Sequence, residues 1–197
     1  ELQDSGCAPS QVMVLPCCLS EKQEQDGLAL SEPTALVGAP LRVLFIGRLD
    51  SYKRLDWLLE ALSTLHSPWQ LAVVGDGPKR APFERLAESL FPPPTPVHFH
   101  GRLDEAAKLH QLAVSDLLVL PSDRSNEAFG IVQLEAMAAG RPSLAFEQIR
   151  SGMGWVGRLS GLPWSQSPKG LPEVLQRLAD QPQLRRQLSS EARERYQ

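Results

Sequence analysis

Gly47-Arg48-Leu49-Asp50-Ser51-Tyr52-Lys53 sets a glycine and two cations directly behind a short apolar run at 43–46. Glycine lets a ligand approach the main chain, arginine offers a two-pronged donor and lysine a point charge. At a strand-to-helix turn this set suits a polyanion such as a diphosphate; it equally suits a glycine turn with two surface cations. A second stretch says more. Pro121-Ser122-Asp123-Arg124-Ser125-Asn126-Glu127-Ala128-Phe129-Gly130 precedes a helical pattern at 131–139 that contains Glu135. A helix start presents free amides and the positive end of its dipole, a natural seat for phosphate oxygens. The eight residues from Glu127 to Glu135 would span roughly 12 Å if all helical. Carboxylates accept from vicinal hydroxyls, so a sugar, a diphosphate and a ribose fit that line in turn. Taken singly, Glu127 could stabilise a helix start and Glu135 could face solvent. Neither account explains why both stand beside the Gly-Arg-Lys loop.

Other chemistries drop out. Gly75-Asp76-Gly77-Pro78 is followed by Arg80 where a dinucleotide fingerprint needs its third glycine, so a tight turn before a helix explains it better. His98 and His100 share one side of a strand, but the four histidines lack the spacing of a metal site, and no Asp-x-Asp or nucleophile signature occurs. Cys7, Cys17 and Cys18 form neither a disulfide framework nor a C-x-x-C pair and read as small half-buried hydrophobes in a reducing compartment.

Residues that could do this chemistry need rigid elements behind them. The chain has 197 residues, 42% hydrophobic and 22% charged, enough to bury a sizeable core. No run of apolar residues exceeds four, so none spans a bilayer. A net charge of -3 speaks against nucleic-acid binding. The chain lacks an initiator Met and a visible signal peptide, which implies a piece of a longer protein. Apolar runs at 42–46, 71–74, 97–99, 117–120 and 143–146 read as strands buried on both faces. An earlier run at 11–16 reads as a further short strand, and the polar stretch 20–40 as a loop. Helical periodicity falls between the strands: Leu55, Leu58, Leu59, Leu62 and Leu65; Phe83, Leu86 and Leu90; Leu109 and Leu112; Ile131, Leu134 and Ala138. Two amphipathic segments, 171–179 and 184–196, close the chain, the second with Arg185, Arg186, Glu191 and Arg195 as a solvated face. The proline-rich 91–96 reads as a stiff surface connector. The alternation predicts an α/β fold, a Rossmann-like parallel sheet flanked by helices with right-handed crossovers.

In order along the chain, Gly47-Arg48-x4-Lys53, Gly75-Asp76-Gly77-Pro78, Gly101-Arg102-Leu103, Glu127-Ala128-Phe129-Gly130 to Glu135, and Gly140-Arg141-Pro142 resemble the landmarks of family 4 retaining glycosyltransferases. The likeness is to their C-terminal, nucleotide-sugar-binding lobe in the GT-B fold and covers 11–197, with 1–10 as a remnant of the preceding lobe or linker. Glu-x7-Glu alone is a weak signature; five landmarks in order are a specific one.

The resemblance implies roles. Arg48 and Lys53, behind Gly47, would grip the donor diphosphate and stabilise the leaving nucleotide without a metal or other cofactor. Glu127 would hold hydroxyls of the transferred sugar and act by positioning, and Glu135 would meet the ribose. Amides of Phe129, Gly130, Ile131 and Val132 would face sugar and phosphates, and backbone near Arg102 and Leu103 the base. Retention would proceed by front-face attack with the donor's phosphate assisting, so no protein nucleophile is expected. The partners implied are a UDP-, GDP- or ADP-linked sugar and a glycan or glycolipid acceptor held by a missing N-terminal lobe. The setting implied is cytoplasmic, with the full-length protein peripheral at the inner membrane face. Three departures stand out: that absent lobe, a short 151–167 segment, and an end at Gln197 before the helix that usually crosses back. Such a lobe alone would be inactive. The competing class is a non-catalytic nucleotide-sugar-binding or regulatory module of the same fold.

Overall fold

Apolar strands in a parallel sheet are covered on both faces, and the five later runs form one such sheet. β4 and β5 are buried throughout, whereas β2 exposes Gln70 and the edge strand β3 exposes His98 and His100, against the expectation for those two. The structure is a computed structural model and describes residues 6, 8, 10, 13, 17–33, 36, 38–123, 127, 129–146, 151–159 and 168–197. The elements are α1 (Glu21–Leu28), β1 (Leu41–Ile46), α2 (Leu55–Leu62), β2 (Trp69–Val74), α3 (Arg80–Leu90), β3 (Val97–Gly101) and α4 (Glu105–Val114). They continue as β4 (Leu117–Leu120), α5 (Val132–Ala138), β5 (Ser143–Ala145), α6 (Met153–Val156), α7 (Leu171–Asp180) and α8 (Pro182–Tyr196). The strands are parallel and lie in the order β3-β2-β1-β4-β5. The path runs outward from β1 to β3, then returns to the other side of β1 for β4 and β5. An open α/β sheet leaves its crevice where that direction reverses, here at the carboxyl ends of β1 and β4.

Alternation along β1 builds two cores. Leu41, Val43 and Phe45 pack with Leu55, Leu58, Leu59 and Leu62 of α2 and with apolar residues of α3, α7 and α8. Leu44 and Ile46 pack on the other side with Leu112 of α4, Leu118, and Ala136 and Ala139 at α5. Each fully buried Leu or Phe contributes roughly 1.5–3 kcal/mol. β1 and β4 pair at only Val43–Leu117 and Leu44–Leu118. A clasp reinforces the junction: the Asp116 carboxylate accepts from the Arg42 amide at 2.9 Å, Nε at 3.1 Å and Nη2 at 2.7 Å, and the Asp116 amide donates to the Arg42 carbonyl at 2.8 Å.

Several expectations need correction. The 20–40 stretch is not all loop, because α1 lies within it. The Ser20 hydroxyl accepts from the Gln23 amide while the Gln23 side chain accepts from the Ser20 amide, a reciprocal cap. α1 has no apolar stripe for periodicity to find. It is held by that cap, by the Lys22–Asp26 pair and by Gly27, where a Cβ would stand 3.0 Å from the Ala138 methyl of α5. The C-terminal charges are only partly solvated. Arg185 is buried, Arg193 donates to the Leu28 and Leu30 carbonyls, and Arg195 to those of Trp155 and Val156. Long guanidinium stems reach carbonyls that irregular connections leave without ladder partners. α2 ends at Leu62, short of Leu65, which still packs on the core. Cys17 and Cys18 are exposed, since only Leu19 of that segment turns inward. Cys7 and the strand expected at 11–16 lie outside the described residues, except exposed Met13; so do 160–167 of the 151–167 segment.

The loops after β1 and β2 are laced main chain to main chain: Gly47 amide to Val74 carbonyl (3.0 Å), Leu49 amide to Asp76 carbonyl (3.0 Å) and Lys79 amide to Leu49 carbonyl (2.9 Å). This closeness explains the Gly75-Asp76-Gly77 turn. A Cβ on Gly75, whose φ is +131°, would fall 1.9 Å from the Gly47 carbonyl oxygen, and one on Gly77 2.4 Å from that of Leu49. Backbone on both sides cannot yield as a side-chain end would. Gly75→Ala should therefore destabilise the chain by about 3 kcal/mol or more, read as a lowered urea midpoint. A midpoint equal to wild type would contradict the lacing.

Candidate functional site

The loop leaving β1 closes in a 3-10 turn, Ser51–Lys53, capped by Asp50, whose carboxylate accepts from the Ser51 amide at 2.7 Å. The turn sends Lys53 inward until it is 8% exposed, so it is not a surface cation. Its ammonium packs beside Gly47, where a Cβ would lie 3.8 Å from Nζ, and it forms an ion pair with Glu127. Burial pushes the Lys53 ammonium down to about 8.

The Glu127 segment is fixed from behind. The Ser151 hydroxyl donates to the Glu127 carbonyl. The fully buried Gln133 amide donates to the Phe129 carbonyl at 3.1 Å and the Met153 carbonyl at 3.0 Å, and accepts from the Ser143 hydroxyl at 2.8 Å. Gly130 (φ +72°) turns the chain into α5, its carbonyl accepting from the Gln133 amide. Phe129 is half-buried against the core, Ile131 is exposed at the helix entrance and Val132 opens the helix.

Beside this pair opens a cleft of about 610 Å³ at the carboxyl ends of β1, β2 and β3, lined among others by Gly47, Arg48, Asp76, Arg102, Leu103 and Lys108. That is the size of cleft that accepts a nucleotide-scale ligand. Arg48 is largely solvent-exposed, 3.5 Å from Asp50, and leaves its guanidinium accessible at the mouth. The structure thus brings Gly47, Arg48, Arg102 and Leu103 together around one opening, with Lys53 and Glu127 against its Gly47 edge.

Glu135 is placed differently from the expectation. α5 begins only at Val132, so Glu127 lies in the preceding turn, Glu135 falls in the first helical turn, and an all-helical 12 Å span does not apply. Glu135 is not a solvent-facing charge either. Its side chain is 11% exposed, with Oε1 3.1 Å and Oε2 3.0 Å from Lys108 Nζ, the second out of hydrogen-bond alignment. Glu135 lines a smaller cavity of about 210 Å³ beneath α1, and Lys108 borders both that cavity and the large cleft. Lys108 also pairs with Glu105 at 2.9 Å. Burial acts to lower its ammonium, but the two carboxylates more than offset this and hold it above its ordinary value. Sequence reasoning missed Lys108. Its one signal is a lysine on the first turn of a helix capped by Asp104, just after Gly101-Arg102-Leu103. Among the described residues no group of three or more His, Cys, Asp or Glu could hold a metal ion, and none of the helices is long and apolar enough to cross a membrane.

A parallel sheet with cation-bearing loops at its reversal point and a nucleotide-sized cleft defines a class of protein, and the comparisons name it. Residues 28–195 match the family model "Glycosyl transferases group 1", and the chain belongs to that family. Curated relatives include the D-rhamnosyltransferase WbpZ of Pseudomonas aeruginosa, 33% identical over 162 residues, covering 80% of this chain and 41% of that protein. The GDP-mannose-dependent alpha-(1-6)-phosphatidylinositol dimannoside mannosyltransferase of Mycobacterium tuberculosis is 33% identical over 111 residues, or 53% of this chain and 27% of that one. Among solved structures, the lipopolysaccharide-biosynthesis glycosyltransferase WaaG superposes with TM-score 0.70 at 27% identity, over 96% of this chain and 53% of WaaG. The chain therefore spans less than half the length of these curated relatives and has the fold of one GT-B lobe.

The buried lysine yields a test of this geometry. Between about 8 and its ordinary 10.5 the unfolded chain keeps a proton on Lys53 that the folded chain has released. This group's contribution to stability should therefore rise with pH across that window. Urea midpoints measured through the window should show wild type gaining on Lys53→Met. A constant difference would mean that Lys53 is not held in a desolvated seat.

Proposed function

We propose that this chain is the donor-binding lobe of a metal-independent, retaining family 4 hexosyltransferase. The observation behind this reading is the Lys53–Glu127 ion pair at the Gly47 edge of an open cleft, with Arg48 exposed at its mouth. A nucleotide sugar laid across that edge would put its diphosphate between Arg48 and Lys53. The two cations would balance the charge that grows on the leaving nucleoside diphosphate, the task a metal ion performs elsewhere. As Lys53 turns to phosphate it would release Glu127, whose carboxylate then holds hydroxyls of the sugar. The base would lie toward Arg102 and Leu103, and Glu135 would act on the ribose through or beside Lys108. Glu127 serves as a positioning carboxylate, and retention proceeds by front-face attack with the donor phosphate taking the acceptor's proton. The relatives' rhamnosyl and mannosyl chemistry supports a hexose-type donor, linked to UDP, GDP or ADP, and a glycan or glycolipid acceptor held by a second lobe. Action at the cytoplasmic face of a membrane, by peripheral contact, belongs to the same proposal.

Arg48→Ala and Lys53→Ala should each weaken binding of whichever of UDP, GDP and ADP the wild type prefers, by roughly 10- to 100-fold for a lost charge-assisted contact. The bare nucleoside should be unaffected, and EDTA should change nothing. Equal losses for nucleoside and diphosphate, or a strict Mg²⁺ requirement in calorimetry, would overturn the reading.

The glutamates should separate. Glu127→Gln frees Lys53 from its pair, so bare diphosphate affinity should hold or rise while nucleotide-sugar affinity falls. Glu135→Gln should weaken both ligands by a similar factor. Parallel loss of both ligands in Glu127→Gln would remove the sugar role and leave Glu127 as a structural carboxylate.

A further inference from the structure

We infer that Arg54 is a positioning residue for Lys53, setting diphosphate affinity without touching the ligand; the inference rests on the diphosphate reading of Lys53 above. Among the described residues Arg54 is the only non-glycine with positive φ, at φ 49° and ψ 41°. For an L-residue that left-handed conformation is strained, and glycine would adopt it freely. A position selected for backbone shape alone would favour glycine, so the side chain must return something. Its guanidinium makes a two-pronged contact with Asp56 (Nη2 at 2.8 Å, Nε at 3.1 Å) and reaches Asp123 through Nη1 at 3.2 Å. It also lies 3.9 Å from the Trp57 ring centre, and Trp57 meets Phe146 edge-on at 6.1 Å.

These contacts join the two loops that flank the reversal point. Asp123 follows β4, and its amide donates to the Tyr52 carbonyl at 3.0 Å, inside the turn that carries Lys53. The Arg54 amide closes the same turn on the Ser51 carbonyl at 3.4 Å. Lys53 is thus the last residue of a one-turn element tied to the β4 loop by a main-chain bond and a guanidinium–carboxylate bond. Arg54 has its donors committed to two acids and its face to an indole, which directs it to architecture and not to phosphate. Without that tie the turn can move relative to the β4 loop, and Lys53 with it.

Arg54→Gly tests this, because it removes the guanidinium while suiting the left-handed backbone. The experiment is calorimetry of the chain with UDP, GDP and ADP and with uridine, guanosine and adenosine, beside Lys53→Ala. The expected result is a loss of roughly tenfold in diphosphate affinity, about one charge-assisted contact, with nucleoside affinity unchanged. Asp123→Asn should produce a similar loss, and the double variant little more than either single one. If Lys53→Ala loses diphosphate affinity while Arg54→Gly keeps it, the positioning role is wrong and the function stands. If Arg54→Gly weakens nucleoside and diphosphate equally, Arg54 is merely structural and the inference falls. If Lys53→Ala itself has no effect, the diphosphate reading fails and takes this inference with it.

Discussion

The junction between β1 and β4 is the constraint on which the rest of the structure depends. Only two residue pairs join the strands, and Asp116 adds a clasp on Arg42 that fixes their register from the amino end. A slip of one residue would turn every side chain of either strand to the wrong face. It would also shift the β1 loop against the β4 loop, and with them Lys53 and Glu127. The site is thus set at one end of the sheet by contacts made at the other.

Two buried or half-buried lysines then organise the cleft by the same logic. Lys53 of the β1 loop is matched by Glu127 from the β4 side, and Lys108 of α4 by Glu135 of α5. In each case a partner comes from a different element, although Lys108 also pairs with Glu105 of its own helix. A buried charge without a partner costs far more than the pair contributes, so each pair forces its two elements into contact. Arg48 differs: it stays in water at the cleft mouth, where its charge is available to a ligand.

Backbone contacts complete the frame. The lacing of the Gly47 and Gly75 loops continues the β1–β2 ladder past the strand ends, giving the cleft a floor of main chain instead of mobile side chains. α1 roofs the smaller cavity beside Glu135, with Gly27 set on Ala138. Arg193 of α8 reaches the Leu28 carbonyl at the end of α1 and the Leu30 carbonyl in the connection beyond it, so the C-terminal helix helps to hold the roof of that cavity.

The sequence by itself determined the sheet. Its five apolar-rich runs became β1 to β5 with edges shifted by a few residues, because even β2 and β3, which keep Gln70, His98 and His100 exposed, carry buried apolar residues as well. It also placed Gly47, Arg48, Lys53, Glu127 and the Arg102-Leu103 pair in loops that follow strands, where a parallel sheet opens. Only the tertiary structure decided how these residues meet. That Lys53 is buried, that Glu135 sits behind Lys108 and that Arg54 bridges two loops follow from contacts between residues far apart in the chain, while the helix at 21–28 rests largely on a local cap that periodicity does not register. Periodicity reports the face a residue shares with its neighbours along the chain. It carries no information about which charge will be waiting on the element packed against that face.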